Sequence, residues 1–337
     1  MPSSLLQTLT QFGNILQGWL LPRLEEELGS LTAKQEQLGR VLGLLGMDGW
    51  IAPRRGRVGR PRRDRVAIAR AFVAKAVYNL PSTRALREQL KSDCALRRIC
   101  GWESARAVPD ESVFSRSFAE FAETELPQRV HAALIAKTQS ERLIGHISRD
   151  STAIAVRERP VKAAHAAARP AKEAAAPATG QPSDKRRRPR QLTRIERQKE
   201  MTLEEMLAEL PRHCSIGCKT NSQAAIPLAT LTAARVTSLY DLMDSAYDSD
   251  LIRKHSQELG HVPIIDSQGR RFKPARPMLP HEADRFRERT SVERATARLK
   301  DEFGGRNVRV RGALKVMAHL MFGILVLTVD QILRLSP

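Results

Sequence analysis

The chain runs to 337 residues, 42% of them apolar, which is enough for two domains and a sizeable core. Its 56 Lys and Arg against 37 Asp and Glu leave a formal charge of +19, an excess that draws anionic partners such as nucleic acid or an acidic membrane surface. Four scattered cysteines argue against a disulfide scaffold, and three Tyr with three Trp leave little for base-stacking platforms, which argues against an RNA or single-strand binder.

Residues 3–47 carry a helical period, with Leu5, Leu9, Phe12, Leu16, Trp19 and Leu20 on one stripe. Leu31, Leu38, Val41, Leu42 and Leu45 continue it beyond Gly29, so two helices with a short break are expected. No charged n-region and apolar h-region precede a small-residue cleavage site, so no secretory signal is expected. Pro53 to Arg65 then holds seven arginines in thirteen residues: Arg54, Arg55, Arg57, Arg60, Arg62, Arg63 and Arg65. Such a stretch cannot bury itself. It is read as an extended basic arm that follows phosphates or enters a minor groove, with a solvated linker as the plainer reading. Helices resume over Val66 to Tyr78 and Ser82 to Leu90, with Ser82 as cap, and Gly101 closes a short run from Ala95 to Ile99. After Pro109, Phe114, Phe118 and Phe121 fall at i, i+4 and i+7 and are expected in a core. Residues 1–130 thus read as an all-helical basic module.

Leu143 to Ser148 reads as a strand that brings Asp150 out at its end. Residues 157–200 hold Ala and Pro repeats and the run Lys185-Arg186-Arg187-Arg188, a flexible basic insertion that turns partly helical from Thr193 to Leu210. His213, Cys214 and Cys218 do not have zinc-knuckle spacing, and no metal is expected there. Val236 to Asp244 repeats the pattern of a short strand ending in aspartate. A helix to Leu259, stopped by Gly260, and a strand over His261 to Ile265 follow, so this half is α/β with parallel strands. Leu320 to Val329 is too short for a membrane span and is interrupted by His319 and Asp330, so a core helix is expected and no membrane partner.

Residues 284–303 form the most informative helix. At about 100° per residue, Phe286, Arg289, Glu293 and Lys300 share one side while Val292, Ala295, Leu299 and Phe303 make an opposing apolar face. Salt-bridge decoration of an ordinary helix would look similar.

Together these residues resemble the transposases of bacterial insertion sequences. Asp150-Ser151-Thr152 is similar to that family's first-aspartate motif and Asp244-Ser245-Ala246-Tyr247 to its second. Arg289-(x3)-Glu293-(x6)-Lys300 resembles its Tyr-(2)-Arg-(3)-Glu-(6)-Lys signature, with Phe286 in place of the tyrosine. Gly59-Arg60-Pro61, Leu80-Pro81-Ser82-Thr83-Arg84 and the stretch from Val108 to Arg116 resemble its amino-terminal domain.

The resemblance implies an α/β fold, a ribonuclease-H-like mixed sheet over residues 140–335, preceded by the helical DNA-binding domain of residues 1–130. Between Cys218 and Val236 there is no alternating run long enough for a hairpin, so the second and third strands of such a sheet are expected to be missing. It also implies a chemistry, strand cleavage and transfer at element ends through two Mg²⁺ ions about 3.5–4 Å apart, with Mn²⁺ as substitute. Asp150, Asp244 and Glu293 would hold the metals, and Lys300 would complete the catalytic set. Arg289, Lys300 and the arm arginines would hold the DNA backbone. Double-stranded DNA, at element ends and target, is the implied partner, a homodimer is allowed, and the location would be cytoplasmic and nucleoid-associated. The rival readings are a catalytically inactive DNA-binding relative (a decayed transposase or a repressor of transposition) and a metal-dependent nuclease of another kind.

Overall fold

The computed structural model describes residues 29–51, 64–139, 141–156, 193–209, 224–267 and 274–335, together with Glu26 and Gly269. Helix α1, Ala33–Leu45, starts at Thr32, whose hydroxyl accepts from the Gln35 amide while the Gln35 side chain returns a bond to the Thr32 amide. It stops at Gly46, which adopts the left-handed conformation. Helix α2, Arg65–Val77, is capped by Asp64 and buried on nearly every side, which makes it the central helix of the first half. Helix α3, Thr83–Ser92, takes the expected cap from Ser82, whose hydroxyl accepts from Ala85 N at 3.1 Å. Helix α4, Cys94–Cys100, follows Asp93 and ends at Gly101. Helices α5, Glu111–Glu123, and α6, Leu126–Gln139, complete an all-helical stretch. Of the two helices expected over residues 3–47, the first lies outside the described residues, as does the arm apart from Asp64 and Arg65.

The second half holds three strands: β1, Leu143–Arg149, β2, Thr237–Met243, and β3, Val262–Ile265. They pair in parallel in the order β1-β2-β3. Between β1 and β2 lie short helices α7, Arg194–Gln198, and α8, Leu203–Glu209, and then α9, Ala225–Ala233. Helix α10, Asp250–Glu258, crosses from β2 to β3, and Gly260 ends its last turn with φ 81°. Ala225, Met243, Tyr247, Ile252 and Ile265 close a small core under one side of the sheet. The sheet is wholly parallel rather than mixed among the described residues, because no antiparallel strand accompanies β1 there. Of the stretch from Cys218 to Val236, where no hairpin is expected, residues 224–236 are described and hold α9, while residues 218–223 lie outside the described residues, as do most of the basic insertion and His213, Cys214 and Cys218.

The expected helix at 284–303 begins earlier and is divided. Helix α11, Pro280–Phe286, passes through a tight turn at Arg287–Arg289 into helix α12, Thr290–Asp301. The Arg285 guanidinium stacks 3.8 Å above the Tyr240 ring of β2, holding α11 against the sheet.

Helix α13, Ala313–Leu335, is long and apolar enough to cross a membrane, yet half of its most apolar window is buried in the protein. Its Phe322, Leu325, Val326 and Val329 pack into the same core as Phe72 of α2 and Phe114, Phe118 and Phe121 of α5. Phe72 sits at the centre, with ring centroids 5.9 Å from Phe114, 4.8 Å from Phe118 and 5.8 Å from Phe322. The core helix expected at Leu320 to Val329 is therefore present, and it joins the amino-terminal helices although it lies at the far end of the sequence. Leu299, on the apolar side of α12, and Phe303, just past its end, are buried in this core too. That contact positions the rest of α12 over the sheet.

Candidate functional site

Parallel pairing brings the two aspartates together. Arg149 of β1 and Met243 of β2 are partners in register, so Asp150 and Asp244 leave the sheet as the next residues of adjacent strands at the same edge. Asp150 Oδ1 accepts from Ser151 N at 2.9 Å. Asp244 Oδ1 accepts from Ala246 N at 3.0 Å and caps the turn Ser245–Tyr247. That turn folds Tyr247 into the core, where only 2% of it stays exposed. Burial first, then the charges of Asp244 and Asp150, push the Tyr247 phenol up to about 12, so it stays neutral between the two carboxylates.

Helix α12 brings the third carboxylate. Arg289 Nη2 donates to Glu293 Oε1 at 2.7 Å, and its Nη1 lies 3.8 Å from Asp150 Oδ1. Asp150 and Glu293 are thus separated by the width of one guanidinium and its two contacts. Nη1 is buried and makes no hydrogen bond. The Arg289 guanidinium carbon lies 5.7 Å from the centre of the Phe286 ring, so phenylalanine at that position keeps the ring contact. About two turns after Glu293, Lys300 Nζ donates to Thr152 Oγ1, just past Asp150. The side of the helix singled out in the sequence therefore faces the end of β1.

Among the described residues, no three His, Cys, Asp or Glu side chains are gathered as a ready metal cage. Carboxylates without a cation repel one another, and Arg289 stands between two of these. Arg65, the one arm arginine among the described residues, opens α2 and donates from Nε to Glu120 at 3.0 Å. Arg54, Arg55, Arg57, Arg60, Arg62 and Arg63 lie outside the described residues.

Beneath the aspartates is a polar network that the sequence reading does not single out. Arg149 Nη1 donates to Asp241 Oδ1 at 2.5 Å, His261 Nδ1 lies 3.1 Å from Asp241 Oδ2, and Ser238 Oγ lies 3.4 Å from His261 Nε2. Asp241 is wholly buried. Register places Arg149 and Asp241 on one face of the sheet as diagonal neighbours, so the pair clamps the end of β1 to β2. The available signal was Asp241 itself, a charge set between the apolar Leu239 and Met243 on one face of a strand.

Comparison with known proteins finds a match for residues 36–120 to the family described as Transposase domain (DUF772). No curated protein and no solved structure matches. The matched stretch runs from within α1 to within α5, the helical part whose motifs carried the resemblance. Residues 36–120 are thus similar to a transposase domain, which supports an insertion-sequence transposase.

Proposed function

We propose that the chain cuts and joins DNA by metal-assisted phosphoryl transfer, at a ribonuclease-H-like site formed by Asp150, Asp244 and Glu293. The observation that carries this reading is Arg289, whose guanidinium is held between Asp150 and Glu293 at the mouth of two parallel strands that each end in an aspartate. A spot where two carboxylates already grip a positive group suits a cation. The donors there are hard oxygens, as Mg²⁺ or Mn²⁺ requires. Bound divalent ions would supply an activated water or 3′-hydroxyl and would stabilise the leaving oxygen.

The chain's own residues do the rest. Asp150 and Asp244 are fixed by strand ends and by bonds from backbone amides, so their orientation is set before anything binds. Glu293 is more than half exposed on α12 and reaches the same mouth from solvent. Lys300 and Arg289 flank it as phosphate contacts that position the backbone without reading sequence. The helical half and the net charge of +19 favour double-stranded DNA as partner.

The test is cleavage of DNA bearing the inverted repeats that flank the encoding element, with Mg²⁺ or Mn²⁺, by the wild type and by Glu293→Gln. The wild type should cut, and Glu293→Gln should bind the ends nearly as tightly while losing roughly a hundredfold or more in cleavage rate, the scale of removing an electrostatic group from a transition state. Ends that are bound but never cut would leave the inactive DNA-binding relative as the reading.

A further inference from the structure

We infer that Arg289 is the resident counter-ion of the carboxylate site and that a divalent cation and this guanidinium hold the site in turn. The inference rests on the metal site proposed above and concerns what fills it beforehand. Arg289 bridges: Nη2 is hydrogen-bonded to Glu293 at 2.7 Å, and Nη1 points to Asp150 at 3.8 Å. A divalent ion drawn between the same two carboxylates would meet a positive charge already there, and like charges at that range repel. Loading therefore requires the Arg289 to Glu293 bond to lengthen or break. Glu293 is 54% exposed, which leaves an ion a route in from solvent.

The guanidinium is also incompletely satisfied where it sits, since Nη1 is buried with no hydrogen bond. A buried donor without a partner is unfavourable, so release is opposed by one good bond rather than two. A phosphate oxygen would satisfy both nitrogens as a planar fork. Metal and DNA backbone then favour the same displaced state of Arg289, and by linkage each strengthens the other.

Manganese alone, without DNA, tests this on the full-length chain by electron paramagnetic resonance of free Mn²⁺ during titration. Wild type, Arg289→Ala, Arg289→Lys and the double variant Asp150→Asn with Glu293→Gln are compared, and circular dichroism establishes that each is folded. Arg289→Ala should bind Mn²⁺ roughly tenfold more tightly than wild type, the scale of one charge-assisted hydrogen bond. Arg289→Lys keeps the charge but cannot bridge, so it should also bind more tightly and keeps the idea testable if the alanine variant fails to fold. Equal or weaker binding by Arg289→Ala overturns the inference. So does Arg289→Lys at wild-type affinity, which would mean that charge alone matters and the bridge does not. If neither the wild type nor either Arg289 variant binds Mn²⁺ better than the double carboxylate variant, the metal site itself fails, a result distinct from failure of the counter-ion role alone.

Discussion

Arg298 and Asp330 are joined across two helices, with Nη2 standing 2.7 Å from Oδ2. The Asp330 carboxylate, 12% exposed, also accepts from Gln37 Nε2 of α1 at 3.1 Å and from Arg334 Nε at 2.8 Å. One carboxylate therefore ties α1, α12 and α13 together, a little over one turn beyond Glu293. The bonds to Arg298 from Glu302 and Asp330 also hold its pKa above the usual value. Asp330→Asn keeps the size and removes the charge, leaving Arg298 with Glu302 as its ionic partner. A loss of about 1–3 kcal/mol is expected in urea unfolding, the range for charge-assisted hydrogen bonds to a partly buried group. An unchanged midpoint would show that water replaces the carboxylate at no cost.

Gly323 lies where α13 crosses the end of α12. A Cβ there would sit 2.5 Å from the Phe303 carbonyl oxygen and 3.0 Å from Leu299 Cδ1. Helix propensity alone predicts that Gly323→Ala stabilises by up to about 1 kcal/mol. The contact with backbone oxygen should reverse that sign, because overpacking a close helix crossing costs about 1–3 kcal/mol. Thermal melting of the single variant decides between them.

Phe72 is the hub of the helical core, in ring contact with Phe114, Phe118, Phe121 and Phe322. Phe72→Ala removes the ring that joins the first half of the chain to α13 and should cost about 3–5 kcal/mol. The same measurement on Phe322→Ala should give a loss of similar size if α13 is as integral to this core as its packing implies.

How the sequence relates to these contacts differs between the two halves of the site. Local signals located the carboxylates. Strand-ending aspartates reveal themselves by the change from apolar to polar residues, and the spacing of Arg289, Glu293 and Lys300 puts them on one helical side. Helix boundaries followed from Ser82, Gly101 and Gly260, whose cap or turn conformations are local too. What stayed hidden depends on partners far apart in sequence. A period of 3.6 shows that Leu320 to Val329 is buried but not that Phe72 is what buries it. Asp241 reads as a polar residue in a strand until the register with β1 sets Arg149 beside it. Likewise Arg289 and Glu293 are legible as a pair, while the approach of Arg289 to Asp150 needs the turn at Arg287–Arg289 to lie against β1.

His319 gives the pH dependence of this architecture. It lies on α13 beside a small cavity lined also by Phe72, Lys75, Phe118, Phe303 and Phe322, with Nε2 3.0 Å from the Gly304 carbonyl oxygen. Burial, then the charge of Lys75, lowers its pKa from 6.5 to about 4, while the Gly304 carbonyl opposes the shift. Between those two values the unfolded chain binds a proton that the folded chain excludes, so stability rises with pH there and is lost on acidification. The full difference amounts to about 3 kcal/mol, at roughly 1.4 kcal/mol per unit. Lys75, itself lowered to about 8 by burial and then by Arg309, stays charged throughout this window and adds no slope of its own. Urea midpoints at intervals from pH 4.5 to 7 should therefore rise steeply for the wild type and much less for His319→Gln, which cannot take up the proton. Lys75→Met should fall between them, because removing that charge lets the imidazole titrate nearer its ordinary value. Parallel curves for the wild type and His319→Gln would assign the acid sensitivity to carboxylates elsewhere in the chain.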